Sequence, residues 1–230
     1  MAGYAQYTLA QLLALFYEQV GGNQTFFRQD EATHILQEAF RIFNCLTGFW
    51  RDRINMGATV AGQHWYSVPA GLTYLYRVEL NETVLQSTTL YDLDYGRPTW
   101  ETETATSTGL PQAFAPAGVN LFAIWPASLA GGESLVVEGV TPAPILNNIG
   151  FVNLGQDELE SILDEATHIA QFKEGGQEFE ASQEVHKEFL REAGERNGVL
   201  MQSAKFRGWM GLTSAKSRPM RTPDAKVGAR

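Results

Sequence analysis

Residues 30–57, DEATHILQEAFRIFNCLTGFWRDRINMG, decide how this chain is read, because a helical pattern enters the stretch and a different texture leaves it. Ile35, Ala39, Ile42, Phe43, Leu46, Phe49, Trp50 and Ile54 recur at three- and four-residue intervals, the spacing of one helix face. Asp30 stands where an N-cap would. The spacing predicts a helix from about Asp30 to Ile54, with the change of texture at Gly57.

Upstream, Leu9, Leu12, Leu13, Phe16 and Val20 form a second helical stripe, and Gly21-Gly22-Asn23 stops it. Downstream of Gly57 lie most of the prolines, with short alternating or β-branched runs at 64–68, 73–80, 83–87, 119–125 and 134–140. These runs read as antiparallel strands. Turn signals at Pro69-Ala70-Gly71, Asn81-Glu82, Tyr95-Gly96-Arg97-Pro98, Gly109-Leu110-Pro111 and Gly131-Gly132 fall between them. Helical spacing returns with Leu159, Ile162, Leu163, Ala166, Ile169 and Ala170, where Asp157 and Glu160 have capping-box spacing. Gly175-Gly176 breaks that helix, and a charged one follows over about 178–200, with a thin seam of Phe179, Val185, Phe189, Ala193 and Leu200. Strands grouped apart from helices mean an α+β chain with no alternating βαβ pattern. The expected layout is N-terminal helices over 1–56, a β-rich insertion over 57–152, C-terminal helices over 153–204 and an extended basic arm over 205–230. Together the helices would form a four-helix body carrying an inserted antiparallel β-rich domain.

An apolar fraction of 44% supplies a full core for 230 residues. Cys45 is the single cysteine, which excludes an internal disulfide and a cysteine-rich zinc site and points to a reducing compartment. The start, Met1-Ala2-Gly3-Tyr4-Ala5-Gln6, has no basic n-region, and no apolar run approaches the roughly 20 residues of a membrane span. The expectation is a protein made in the cytoplasm with no membrane partner. The net charge of −9 is uneven. From Lys205 onward seven basic residues face one acid, Asp224, so the arm carries +6 and the rest −15. An acidic body is unsuited to gripping phosphates, each of which needs a cation. Within the arm, Lys205-Phe206-Arg207-Gly208-Trp209-Met210 mixes cations with apolar anchors, the composition of a docking peptide. Lys216, Arg218 and Arg221 extend its positive charge.

The usual phosphate loops, nucleophile elbow and zincin helix are all missing from the sequence. Glu31-Ala32-Thr33-His34 and Glu165-Ala166-Thr167-His168 repeat the Glu-x-x-His spacing by which helical bundles hold two metal ions. Glu18 with Glu184 or Glu188 would complete such a ligand set. On helical wheels, however, both histidines fall well away from their apolar stripes, so solvent or a subunit face is expected for each. Asp92, Asp94, Glu101 and Glu103 read as solvated loop carboxylates. The aromatics Trp65, Tyr66, Tyr74, Tyr76, Trp100 and Trp125 read as core or interface, with stacking on sugars or bases as the rival use.

The order of parts resembles the head-to-tail adaptor, or connector, proteins of tailed bacteriophages, particularly short-tailed ones. The resemblance runs through the Leu-rich helix from Leu9, the long aromatic helix from Asp30, and Trp65-Tyr66-Ser67-Val68-Pro69. It continues through Leu75-Tyr76-Arg77-Val78-Glu79-Leu80, Leu90-Tyr91-Asp92-Leu93-Asp94 with Pro98-Thr99-Trp100, and Gly109-Leu110-Pro111-Gln112-Ala113-Phe114. Leu121-Phe122-Ala123-Ile124-Trp125-Pro126 and Leu135-Val136-Val137-Glu138 complete it, before two closing helices. What this implies is a non-enzymatic virion protein of the neck, without cofactor. It would form a dodecameric ring between portal and tail nozzle or tube, letting double-stranded DNA pass during ejection. The arm would engage the portal through Lys205, Phe206, Arg207, Trp209, Met210, Lys216, Arg218 and Arg221. Two rival expectations are a di-metal carboxylate enzyme using Glu31, His34, Glu165 and His168, and another virion part such as a tail terminator or glycan-binding module.

Overall fold

The computed structural model describes residues 4–22, 25–105 and 110–197. The chain is α+β and divides into two compact units, one built from residues 1–47 and 146–230 and the other from 48–145.

In the first unit a short strand, β1 (Ala5–Thr8), runs into helix α1 (Leu9–Gln19). Thr8 caps α1 in a full capping box with Gln11, two reciprocal bonds that satisfy otherwise orphaned N–H groups. Helix α2 (Gln29–Thr47) begins one residue before Asp30 and buries Ala32, Ile35, Leu36, Ala39, Phe40 and Phe43. After the second unit, β10 (Phe151–Leu154) pairs antiparallel with β1, Ala5 opposite Leu154. Helices α4 (Gln156–Glu174) and α5 (Gly176–Arg196) follow, and Gly175 separates them. Helix α4 packs against α1, α2 and α5, and α5 also packs against α2. Its N-cap is Gly155, with no side-chain bond, so the capping-box spacing of Asp157 and Glu160 is not used.

The helix expected to reach Ile54 ends seven residues earlier. Thr47 turns its hydroxyl back to the Phe43 carbonyl, and Gly48 takes φ +60, a conformation that ends helices. A side chain at Gly48 would also meet the Tyr76 hydroxyl at 2.6 Å. Residues Arg51–Ala58 are then a strand, β2, in which Ile54 and Met56 are half-buried and their neighbours exposed. Phe49, Trp50 and Ile54 continue a helical spacing by coincidence. Ile54 with Met56 satisfies the two-residue period of a strand just as well, and ladder bonds to β9 (Ser134–Val140) decide the outcome.

The second unit is two four-stranded sheets. One runs β2, β9, β4 (Tyr74–Leu80), β5 (Thr83–Val84), all antiparallel. The other runs β3 (Trp65–Ser67), β8 (Leu121–Trp125), β7 (Ala113–Ala117), β6 (Gln86–Ser87). The β6–β7 pair is parallel, so the strands are not antiparallel throughout. Alternation does the packing. Phe122 and Ile124 of β8 join Tyr66, Phe114, Leu75, Val78, Leu80, Leu135 and Val137 in the core shared by the two sheets. Ala123 and Trp125 face the other way and, with Ala115 and Trp65, form a smaller cluster with Leu93 and Trp100. Leu93 lies on α3 (Leu90–Gly96), a short helix capped by Thr89 where the sequence reads as loop.

Gly139 in β9 marks the tightest approach in this unit. A Cβ there would lie 2.3 Å from the Tyr74 carbonyl oxygen and 3.0 Å from Leu72. The obstruction is backbone, so the central strand pair would have to part. Gly139→Ala is expected to destabilise the chain by about 1–3 kcal/mol, read as a lowered midpoint in urea unfolding followed by tryptophan fluorescence.

Candidate interaction surfaces

Helices α4 and α5 run antiparallel and meet through polar side chains. Glu158 pairs with Arg196, Ser161 donates to Glu192, Glu165 bonds His186 and His168 bonds Ser182, in descending register along the two helices. Glu158, Ser161, Glu165 and His168 recur at helical spacing, which makes a second stripe beside the apolar one. Glu165 is only 2% exposed, and its carboxylate lies 2.7 Å from the His186 Nδ1. The His168 and His186 rings stack at 4.4 Å, and His168 also stacks on Phe179. Ser182 gives its hydroxyl proton to the Phe179 carbonyl, so His168 Nδ1 is the donor in the 2.9 Å contact between them.

The two Glu-x-x-His motifs therefore have different surroundings. Glu31, in the first turn of α2, accepts from Lys173 at 2.7 Å, and His34 is exposed. His168, expected at solvent or a subunit face, is half-buried under α5 instead. The wheel counted one apolar face, whereas α4 is covered on two sides. Glu18 is exposed, Glu184 pairs with Lys187, and Glu188 pairs with Arg191. The six carboxylates and imidazoles proposed as a di-metal set are not gathered, and among the described residues no three His, Cys, Asp or Glu side chains converge as a metal ion requires.

Electrostatics along the seam pull in opposite directions. Burial, then the neighbouring His186 ring, lowers the His168 pKa from 6.5 despite the nearby Glu165. Burial, then Glu192, Glu160 and Glu188, pushes the Asp164 carboxyl from 3.8 up to about 6. A lowered histidine pKa removes stability as pH falls below 6.5, because the unfolded chain takes the proton first. A raised carboxyl pKa does the reverse. The folded state keeps a proton that the unfolded chain releases above 3.8, so stability from this group falls as pH rises to about 6 and the cost is complete at neutrality.

On the second unit, Tyr91 and Tyr95 are 73% and 81% exposed and stack with a 7° interplanar angle. The other aromatics singled out divide. Tyr66 and Trp100 are buried, Trp65, Tyr76 and Trp125 half-buried, and Tyr74 exposed. Of the supposed loop carboxylates, Asp94 accepts from the Trp100 indole and Glu103 from the Trp125 indole, while Asp92 accepts from the hydroxyl of Thr89, the N-cap of α3. Arg97 lies 4.2 Å over the Trp125 ring. The arm residues Lys205, Phe206, Arg207, Trp209, Met210, Lys216, Arg218 and Arg221 lie outside the described residues.

The Asp164 environment yields a direct check. Asp164→Asn is expected to stabilise the chain at neutral pH by about 1–2 kcal/mol after allowance for solvent screening, and to lose that gain below pH 3.8. Urea unfolding of both proteins across that range measures it.

Among the described residues no helix is long and apolar enough to cross a membrane. No family model matches this sequence, and comparison with curated proteins returns no match.

Proposed function

We propose that this chain is a head-to-tail adaptor of a short-tailed bacteriophage, a structural ring component that joins the portal to the tail and surrounds the DNA passage. One observation carries the reading. Two mainly helical segments distant in sequence build one unit, and a mainly β unit at 48–145 lies between them in sequence, an order that supports the adaptor resemblance.

In this reading the first unit is a four-helix body, and its copies pack side by side in a dodecameric ring, where head-to-tail contacts close by rotation. The β insertion meets the tail nozzle or tube. The arm at 205–230 clamps the portal, its cations and aromatic anchors reaching on the order of 85 Å if extended. A charge of −15 outside the arm suits a conduit, since an acidic wall repels DNA and lets it slide. The protein makes and breaks no bond, takes no cofactor, and works in the virion neck.

Mixing the purified chain with the portal of the same phage should give a ring stacked on the portal, visible by electron microscopy. Removing residues 205–230 should abolish that complex and leave the chain folded, as read by circular dichroism. A truncated chain that still binds refutes the role of the arm, and a full chain that never binds refutes the adaptor reading.

The exposed Tyr91 and Tyr95 pair favours a second reading, in which the β unit binds glycans on a flat aromatic surface. Glycan-array binding that is lost in Tyr91→Ala with Tyr95→Ala, without any affinity for portal, would select it.

A further inference from the structure

The helical unit contains a groove of about 550 Å³, within the range of sites that hold peptide side chains or small ligands. Leu159 and Leu163, both buried, form its floor with the half-buried Leu15, and Tyr7 also lines it. Glu18 and Glu160 stand exposed at its rim. Glu160 accepts a bond from Gln156, but among the described residues neither glutamate has a cationic partner. A trough floored by leucines and edged by two carboxylates that have no cation among the described residues calls for a ligand with apolar side chains flanked by cations.

This chain contains such a ligand. Lys205-Phe206-Arg207-Gly208-Trp209-Met210 has two cations and three large apolar side chains within six residues. It is also tethered close by. Helix α5 ends at Arg196, whose guanidinium meets Glu158, the residue next to the groove-lining Leu159. Residues 197–204 can extend about 27 Å, more than twice the roughly 10–12 Å thickness of the α4 helix that separates Arg196 from the groove. A tether of that length holds the motif at about millimolar effective concentration, so even a weak contact is populated.

We propose that residues 205–210 dock in this groove of their own chain, with the aromatic anchors on Leu15, Leu159 and Leu163 and with Lys205 and Arg207 against Glu18 and Glu160. The contact stows the arm in the free protein, so that any partner engaging the arm must first displace it. The inference does not depend on the adaptor reading, because it concerns the isolated chain and its test contains no portal.

Chymotrypsin cleaves after aromatic residues and reports directly on Phe206 and Trp209 in the full chain. Those two bonds should be cut slowly in the unaltered protein. Glu18→Lys with Glu160→Lys should speed their cleavage about tenfold, the effect expected when two surface charge contacts become repulsive. Lys205→Glu with Arg207→Glu should do the same without altering any helix residue, which covers the case in which the first pair fails to fold. The chain carrying all four substitutions should return to slow cleavage, since the charges are again opposite. Circular dichroism on each variant checks the fold. Equal cleavage rates in all four proteins would overturn the proposal. Protection that disappears on dilution would overturn it too, by assigning the groove to the arm of a second copy.

Discussion

The antiparallel pairing of Arg51 with Val140 holds the entry and exit of the β unit side by side, and the bond from the Thr141 N–H to the Trp50 carbonyl carries that closure beyond the strands. The helical unit depends on it, because its residues come from two segments separated by the whole of 48–145. Closing a flexible loop of that length would cost about 4 kcal/mol in chain entropy, a large part of a typical domain's stability. A folded insertion with adjacent ends removes most of that cost. The β1–β10 pair adds a second staple inside the helical unit by tying residues 5–8 to the returning chain at 151–154.

With the ends held, α4 becomes the element on which both remaining layers rest. Its apolar stripe goes to α1 and α2, and its polar stripe goes to α5. A buried ionic seam is weak evidence for stability, since desolvation offsets most of the attraction. Its consequence is a fixed register. Sliding α5 by one turn would leave Glu165 and Glu158 buried without His186 and Arg196, and an uncompensated buried charge is strongly penalised. An all-apolar interface of Leu and Ala would tolerate that slip more readily.

Helices with a single clean period were legible in the sequence. Leu9 to Val20, the stop at Gly21, the apolar face of α4 and the break at Gly175 lie where the spacing puts them. Four of the five β runs were legible for the same reason, whereas the run at 83–87 is split into β5 and β6, which belong to different sheets. The boundary at 48 was not, because Phe49, Trp50 and Ile54 fit a helical period while the left-handed turn at Gly48 and the ladder to β9 are set by tertiary partners. Strands β1, β7 and β10 are short, and β7 carries Pro116, so local propensity is silent about them. The seam was half legible. Glu158, Ser161, Glu165 and His168 have helical spacing, but only the return of α5 turns that polar stripe inward. The metal-like Glu-x-x-His pattern of α4 is part of this stripe and has a packing origin.

Where the carboxylates go bears on function more than any motif does. Glu79 is nearly buried and receives both Arg53 and Arg77, while Asp94 and Glu103 anchor indoles. Burial works to raise the Glu133 pKa, but hydroxyl bonds from Ser128 and Thr59 outweigh it and hold the group below the usual range, as expected for a charged acceptor at a turn. Each of these acids already has its donors, so its charge shapes the fold and leaves little acceptor capacity for a substrate. Glu18 and Glu160, which have no cationic partner among the described residues, lie instead on a surface beside an apolar trough. In the proposed docking, the surface carboxylates beside the leucines of that trough face polypeptide, and the cationic segment of the same chain supplies it.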